Sequence, residues 1–333
     1  MTVLVTGGGG FLGGAIIDLL LARGETVRSI SRGTYPDLEE KGVSCIHADL
    51  ADGEAVAKAA EGCDLVFHVA AKAGVWGSYD DYFQANVTGT RSVINACKKN
   101  NIKYLVHTSS PSITFAGEDE DGVDESIPYA ADFLCNYPKT KAQAEYEVLE
   151  ANSDQLATVA LRPHLIWGPG DNHLVPRIVS RAKAGKLKLV GDGTNRVDAT
   201  YIDNAAAAHL AAADNLQNGA ECAGNAYFIS NDEPIAMKDL LNQILAAADL
   251  PPVTKSVPPG VAYGAGALME GIYCLLGKKE EPMMTRFVAR QLATAHWYNI
   301  DAAKRDLGYA PVVSMAEGME RLTNYLKTAT TSN

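Results

Sequence analysis

Val3-Leu4-Val5-Thr6-Gly7-Gly8-Gly9-Gly10-Phe11-Leu12-Gly13-Gly14 is the stretch from which the rest of the chain can be read. Three apolar residues run into a glycine cluster, and an apolar-periodic segment follows from Ala15 to Ala22. The pattern predicts a buried strand, a tight turn and the first turn of a helix. Two glycine registers fit. Gly8, Gly10 and Gly13 satisfy G-x-G-x-x-G; Gly7, Gly10 and Gly13, preceded by Thr6, satisfy T-G-x-x-G-x-x-G. Between a strand and a helix such glycines have separate tasks. One takes backbone angles closed to other residues, one clears the approach of a pyrophosphate, and one lets the helix lie close to the sheet. The helix N-terminus, opened by Phe11 and Leu12, offers unpaired N–H groups and partial positive charge to phosphate.

Further along, Glu25 to Arg32 alternates and predicts a second strand ending near Ser31. In a dinucleotide fold the tip of this strand meets the adenine ribose. An acid there suits the 2′-hydroxyl of NAD, a cation the 2′-phosphate of NADP. The tip carries Ser31 and Arg32 with no acid before Asp37, which points to NADP(H). Gly42 to Ile46 reads as a third strand, followed by Asp49-Leu50. Asp52 to Glu61 reads as a short helix capped by Asp52. Asp64 to Val69 is a fourth strand, and Ala70-Ala71-Lys72-Ala73-Gly74 after it is small enough for a ligand to approach closely. Tyr79 to Asn100 has helical period; on propensity its Asn86 is an exposed residue. Lys103 to Thr108 is a fifth strand ending in Thr108-Ser109-Ser110-Pro111-Ser112. Strand and helix alternate at crossover spacing. The expected fold is therefore α/β, a Rossmann-type doubly wound parallel sheet, with ligands outside the carboxyl ends of its strands. Gly117 to Pro128 is acidic and turn-rich and reads as a solvated loop.

The 333 residues are 47% apolar and 21% charged, enough for a substantial core and too apolar for disorder. The net charge of −11, without any basic block, argues against nucleic acid as a partner. A strand at the very start leaves no room for a signal peptide, and six scattered cysteines read as free thiols in a reducing cytoplasm. No histidine spacing suggests a metal site.

Tyr137-Pro138-Lys139-Thr140-Lys141 opens a helix, with Pro138 suited to its first position. Tyr137 and Lys141, four apart, share a face. An ammonium beside a phenol favours the phenolate, so the tyrosine pKa is expected below its usual value of about 10, fit for general acid–base work. With the glycine motif and the serine-tipped strand, this Y-x-x-x-K resembles the extended short-chain dehydrogenases/reductases, and within them the 3β-hydroxysteroid dehydrogenase-like branch. The resemblance spans nearly the whole chain. It implies that Tyr137 is the catalytic acid/base, that Lys141 assists it and binds the nicotinamide ribose, and that Ser110 orients the substrate oxygen. It also implies that Gly7, Gly10 and Gly13 hold the pyrophosphate, that Asp49-Leu50 approaches the adenine, and that Pro163 lies beside the nicotinamide. Counting from the strand selects Ser110; counting back from Gly117 selects Ser112.

In the second half, Leu156 to Leu161 is a strand, and the residues beyond Pro163, among them His164 and Trp167, are expected at the substrate. Leu174 to Ala184 is helical, Leu187 to Val190 a short strand, Ala226 to Ser230 the last strand of the main sheet, and Met237 to Ala248 a helix. Leu307 to Asn333 finishes with a helix and a polar tail. The implied organisation is a cofactor domain over residues 1–165, rejoined by segments near 199–230, and a smaller, mainly substrate-binding cap over 166–330. Val261 to Gly277 is apolar but shorter than the about 20 residues a bilayer span needs. It can cap an apolar pocket, make an interfacial membrane or partner contact, or be a buried helix.

The stretches Ala160 to Leu174 and Ala71 to Tyr79 are similar to the 2-alkyl-3-oxoalkanoate reductases of bacterial long-chain olefin biosynthesis. This implies a long-chain, lipid-like β-keto acid substrate, NADP(H), and a multienzyme assembly or homo-oligomer with at most peripheral membrane contact. Lys72, His164, His173, Arg177 and Arg196 are candidates for the substrate carboxylate. A steroid or sterol-carboxylate dehydrogenase, a nucleotide-sugar epimerase and a non-catalytic dinucleotide-sensing module are the rival readings; the last has no need of Tyr137 and Lys141, whose joint presence counts against it.

Overall fold

The computed structural model describes residues 1–331. Its strands run, in chain order, β1 (Thr2–Thr6), β2 (Thr26–Ser31), β3 (Ser44–His47), β4 (Leu65–His68), β5 (Tyr104–Thr108), β6 (Glu120–Val123), β7 (Ala157–Pro163) and β8 (Ile166–Trp167). They continue through β9 (Leu189–Val190), β10 (Arg196–Val197), β11 (Thr200–Tyr201), β12 (Ala226–Ile229), β13 (Ile235–Ala236), β14 (Ser256–Val257) and β15 (His296–Tyr298). Seven form one parallel sheet in the order β12-β7-β5-β4-β1-β2-β3. The chain first builds outward from β1 to β3, then returns to place β4 on the other side of β1. That reversal leaves a crevice at the carboxyl ends of β1 and β4.

The central strands are apolar on both faces because helices cover both. Val3, Val5 and Phe67 enter one core cluster, while Leu4, Val66 and Leu105 enter the other, as a period of two requires. The helix Phe11–Ala22 follows β1 directly, buries Ile16, Ile17 and Leu20, and so holds its N-terminus at the crevice.

Three readings of the sequence are corrected by the structure. The acidic segment Gly117 to Pro128 is not simply a loop: β6 pairs parallel with β15 in a second sheet, ordered β13-β10-β15-β6. Glu120 is buried there and accepts a hydrogen bond from Tyr298 OH at 2.7 Å. The partner strand lies far along the chain, so no local pattern announces it. Asn86 is not exposed. A π-helical turn at Phe83–Thr88 interrupts the Tyr79–Lys99 helix and turns Asn86 inward to 2% exposure. Its Oδ1 accepts from Lys72 N–H at 2.7 Å, and its Nδ2 donates to Lys72 O at 3.2 Å and Thr140 Oγ1 at 3.0 Å. Asn86 thereby clamps the loop after β4 to the helix bearing Tyr137.

Third, of the three readings of Val261 to Gly277 the buried helix is excluded, because the helix Pro259–Leu275 is largely exposed. It seats Ala262 and Gly266 against the following segment, where a Cβ on Gly266 would meet the Thr285 carbonyl carbon at 2.6 Å. Leu268 and Leu275 stand 66% and 86% exposed. Among the described residues no helix is long and apolar enough to cross a membrane. The final helix, Met315–Thr331, ends the described chain; of the polar tail, Ser332 and Asn333 lie outside the described residues.

Candidate active site

A cleft of about 1260 Å³ opens over the carboxyl ends of the strands. Its floor is the glycine turn. Gly7 has φ +71°, and a Cβ on Gly13 would lie 2.3 Å from the Gly7 carbonyl oxygen. No side chain fits there, and the turn closes directly onto the helix. Gly7, Gly10 and Gly13 line the cleft with Phe11 and Leu12. Gly8 faces away: its Cβ would strike Ser29 Oγ at 2.4 Å. The T-G-x-x-G-x-x-G register is thus the one facing the ligand. Thr6 anchors it. Its Oγ1 accepts from the N–H groups of Val69 and Ala70, both at 3.1 Å, and lies 2.9 Å from His68 Nδ1. Gly10 caps the helix without a side-chain hydrogen bond, so the first-turn N–H groups remain available to a pyrophosphate. The cradle fits a dinucleotide.

Gly13→Ala is expected to reduce dinucleotide affinity at least about tenfold, because the methyl must displace backbone in a turn with no slack. Titration of cofactor fluorescence checks this; an unchanged dissociation constant contradicts it.

Ser31, Arg32, Asp49 and Leu50 form the far wall of the cleft. Arg32 and Asp49 approach only to 3.8 Å, with side chains 74% and 53% exposed, so the guanidinium is loosely held and open to an anion. Tyr35 completes this wall, and sequence reading missed it. A Cβ on Gly9 would sit 2.2 Å from its ring. The signal was present: Gly9 is one glycine more than the motif needs, and its bare Cα is the seat of the tyrosine ring. Ala70 and Lys72 line the near wall, and Lys72 Nζ is 3.2 Å from Asp81 Oδ2.

At the other end of the cleft stands the helix Asn136–Glu150. Cys135 caps it and Asn136 takes the first position, so Pro138 sits in the first turn, two residues later than expected. Tyr137 and Lys141 both line the cleft. The Lys141 ammonium donates to Thr108 O at 2.6 Å and lies 3.2 Å from His107 Nε2. Burial pulls the Lys141 pKa down to about 8, with Glu145 opposing. The expected lowering of the tyrosine by this lysine is not what the structure contains. Burial pushes the Tyr137 phenol up, opposed by its hydrogen bond with Ser110. The phenol is therefore held protonated, as a proton donor. Ser110 Oγ is 2.9 Å from Ser112 Oγ and accepts the Ser112 N–H at 3.3 Å. Of the two serines, Ser110 is the one that acts on the Tyr137 phenol, and Ser112 is buried.

Other candidates fall elsewhere. His173 lines the cleft beside Asp171, whose carboxylate accepts the N–H groups that open the helix Leu174–Lys183. Pro163, at the end of β7, is buried and does not line the cleft. His164 is buried with its Nε2 2.7 Å from His296 Nδ1, and Trp167 is wholly buried, edge-on to Tyr201. The reason is that β8 turns back into the core to pair with β11. Arg196 stacks on Trp297 with 4.8 Å to the ring centre, and Arg177 pairs with Glu281. None of these four lines the cleft. Among the described residues no group of three or more His, Cys, Asp or Glu side chains could hold a metal ion.

A glycine-floored cleft at the crevice of a doubly wound parallel sheet, with Tyr137 and Lys141 at one end, defines a nicotinamide-dependent oxidoreductase. Residues 4–257 match the 3-beta hydroxysteroid dehydrogenase/isomerase family. The chain is 56% identical to a 2-alkyl-3-oxoalkanoate reductase of Shewanella oneidensis, over 96% of this chain and 84% of the relative. It is 54% identical to another protein of that name from Stenotrophomonas maltophilia, over 97% and 98%. Identity is 33% to the decarboxylating sterol-4-alpha-carboxylate 3-dehydrogenase of Mus musculus, over 95% and 88%. The fold is also that of the UDP-glucuronic acid 4-epimerase from Bacillus cereus solved with NAD (TM-score 0.76, 23% identity, 99% of each chain). This chain belongs to the 3-beta hydroxysteroid dehydrogenase/isomerase family and is an NAD(P)-dependent dehydrogenase/reductase.

Proposed function

We propose that the protein reduces a 2-alkyl-3-oxoalkanoic acid to the 2-alkyl-3-hydroxyalkanoic acid with NADPH. The observation that carries the reading is the identity of 56% and 54%, over 96% and 97% of the chain, to two proteins named for that substrate, against 33% to the sterol enzyme. The cofactor is held by Gly7, Gly10, Gly13 and the N–H groups of the helix they open, with Ser31 and Arg32 at the 2′-phosphate, and Asp49, Leu50 and Ala70 along the adenosine. Bound there, a reduced nicotinamide supplies hydride to a carbonyl carbon. Tyr137 gives its phenolic proton to the carbonyl oxygen as negative charge develops, and Ser110 hydrogen-bonds the same oxygen. The raised phenol suits this direction, because reduction starts from the protonated tyrosine. Lys141 places a positive charge beneath the site and stabilises the phenolate left behind. Lys72 and His173 are the two carboxylate candidates that line the cleft. Six unpaired cysteines accord with a reducing cytoplasm.

The test runs the reaction backwards, since a β-keto acid loses carbon dioxide readily. A 2-alkyl-3-hydroxyalkanoic acid is offered with NADP and NAD in parallel. Formation of NADPH supports the reading; no turnover, with oxidation of a 3β-hydroxysteroid instead, overturns it. In the same assay Arg32→Ala is expected to weaken NADP about 10- to 100-fold while leaving NAD nearly unchanged, the span of a charge-assisted hydrogen bond to phosphate. Equal loss for both cofactors removes Arg32 from phosphate recognition.

A further inference from the structure

The active-site lysine rests on a histidine whose presence the fold itself does not explain. His107 is wholly buried in β5, one residue before the serine-bearing tip, and faces the same side as Leu105. A strand position in a core is ordinarily apolar. Its Nε2 is 3.2 Å from the Lys141 ammonium. An ammonium only donates, so Nε2 must be the accepting nitrogen and the ring proton sits on Nδ1. That Nδ1 is buried with no hydrogen-bond partner. A buried orphan donor is a standing cost to stability. Here it is the cost of presenting the other nitrogen to the lysine.

Among the described residues no carboxylate is within ion-pair distance of Lys141. Glu145, one turn along the same helix, is spent on Arg162 in two hydrogen bonds of 3.0 and 2.6 Å. Among the described residues the acceptors of the ammonium are Thr108 O and the imidazole. The surrounding histidines stay neutral. His68, on β4 directly opposite, has its ring 5.0 Å from His107, and burial pulls it down to about 3. His209, 2.9 Å from Thr108 Oγ1, falls to about 4. Burial and Lys141 itself keep His107 far below its ordinary value. Tyr137 and the Arg162-paired Glu145 are the other groups facing the lysine from its own helix.

We propose that His107 is a positioning residue for the active-site lysine: its neutral Nε2 accepts from the Lys141 ammonium, keeping it charged and lodged at the carboxyl end of β5. The inference rests on the reading of Lys141 as the group that assists Tyr137.

The test compares wild type with His107→Phe, which removes the acceptor, and His107→Gln, which restores a carbonyl acceptor. Lys141 is titrated by the NMR shift of its Cε in lysine-labelled protein, assigned with Lys141→Met. Wild type is expected to titrate near 8. His107→Phe is expected about one pH unit lower, because a cation that loses an acceptor is less favoured. His107→Gln returns most of that shift, and the basic limb of kcat/KM for hydroxy-acid oxidation moves with it. If Phe prevents folding, His107→Leu, matching Leu105 on the same face, carries the comparison. A folded variant without the acceptor that titrates with wild type, while Lys141→Met is inactive, overturns the proposal and leaves the lysine's role standing. Full activity of Lys141→Met overturns that role instead.

Discussion

Tyr137→Phe is expected to lower the rate constant of ketone reduction by about 10²- to 10⁴-fold, the ordinary worth of a positioned general acid. Dinucleotide affinity is expected to stay nearly the same. The substitution removes one hydroxyl and keeps the ring, so the helix Asn136–Glu150 and the cleft wall it forms are preserved. What is lost is the proton that must reach the carbonyl oxygen during hydride addition. Water cannot easily replace it at a partly buried corner where Ser110 is the other oxygen donor. Ser110→Ala retains the acid and loses one hydrogen bond to the developing charge, so its effect is expected to be smaller. Single-turnover reduction, with cofactor bound beforehand, separates chemistry from binding. A phenylalanine variant that turns over as fast as wild type removes Tyr137 from the chemistry. The pH behaviour has a sign that follows from burial. A phenol raised above its ordinary value remains an acid across the neutral range. Loss of reduction on the alkaline side is therefore expected to follow Lys141, near 8, before the tyrosine itself ionises.

The parts of this site that could be read from sequence are those made by neighbours in the chain. The glycine turn joins a strand to the opening of a helix within the twelve residues from Val3 to Gly14, and the Tyr137–Lys141 pair is one helical turn; both follow from local geometry. What sequence left open depends on long-range partners. The acidic run at 117–128 becomes β6 because β15, far downstream, takes Glu120 into the core. Asn86 turns inward because a π-helical turn shifts the register of a helix whose period otherwise looks regular. His164 and Trp167 follow a strand tip, where ligands usually bind, yet β8 doubles back to β11 and takes both into the core. Spacing sets Lys141 beside Tyr137, and the family resemblance sets it at the nicotinamide ribose; the acceptors it has in the structure come from β5, which no spacing within the helix reveals.

Arg162→Leu is expected to destabilise the fold by about 3–5 kcal/mol, the cost of stranding one partner of a buried ion pair. The Arg162 and Glu145 side chains are 5% and 0% exposed. The guanidinium grips both carboxylate oxygens, at 3.0 and 2.6 Å, and Tyr129 OH donates a third bond at 2.9 Å. Without Arg162, Glu145 keeps a tyrosine hydroxyl but loses its hydrogen-bonded counter-charge. The pair does more than fill the interior. Tyr137, Lys141 and Glu145 follow one another at intervals of four along one helix face, and Arg162 comes from β7, the strand beside β5. The bridge therefore fixes the helix that carries the tyrosine and lysine to the strands beneath it. A double variant, Arg162→Leu with Glu145→Leu, removes both charges, and most of the lost stability is expected to return. Its turnover is expected to stay below wild type, because an apolar contact restrains the helix about its axis less sharply than two directed hydrogen bonds. Urea unfolding of the single and double variants, with turnover measured at a denaturant-free reference, tests both parts. A single variant that unfolds at the wild-type midpoint would show that the carboxylate finds water or another partner. A double variant as unstable as the single one would place the cost in lost packing around the Arg162 stem, between Tyr129 and Phe228.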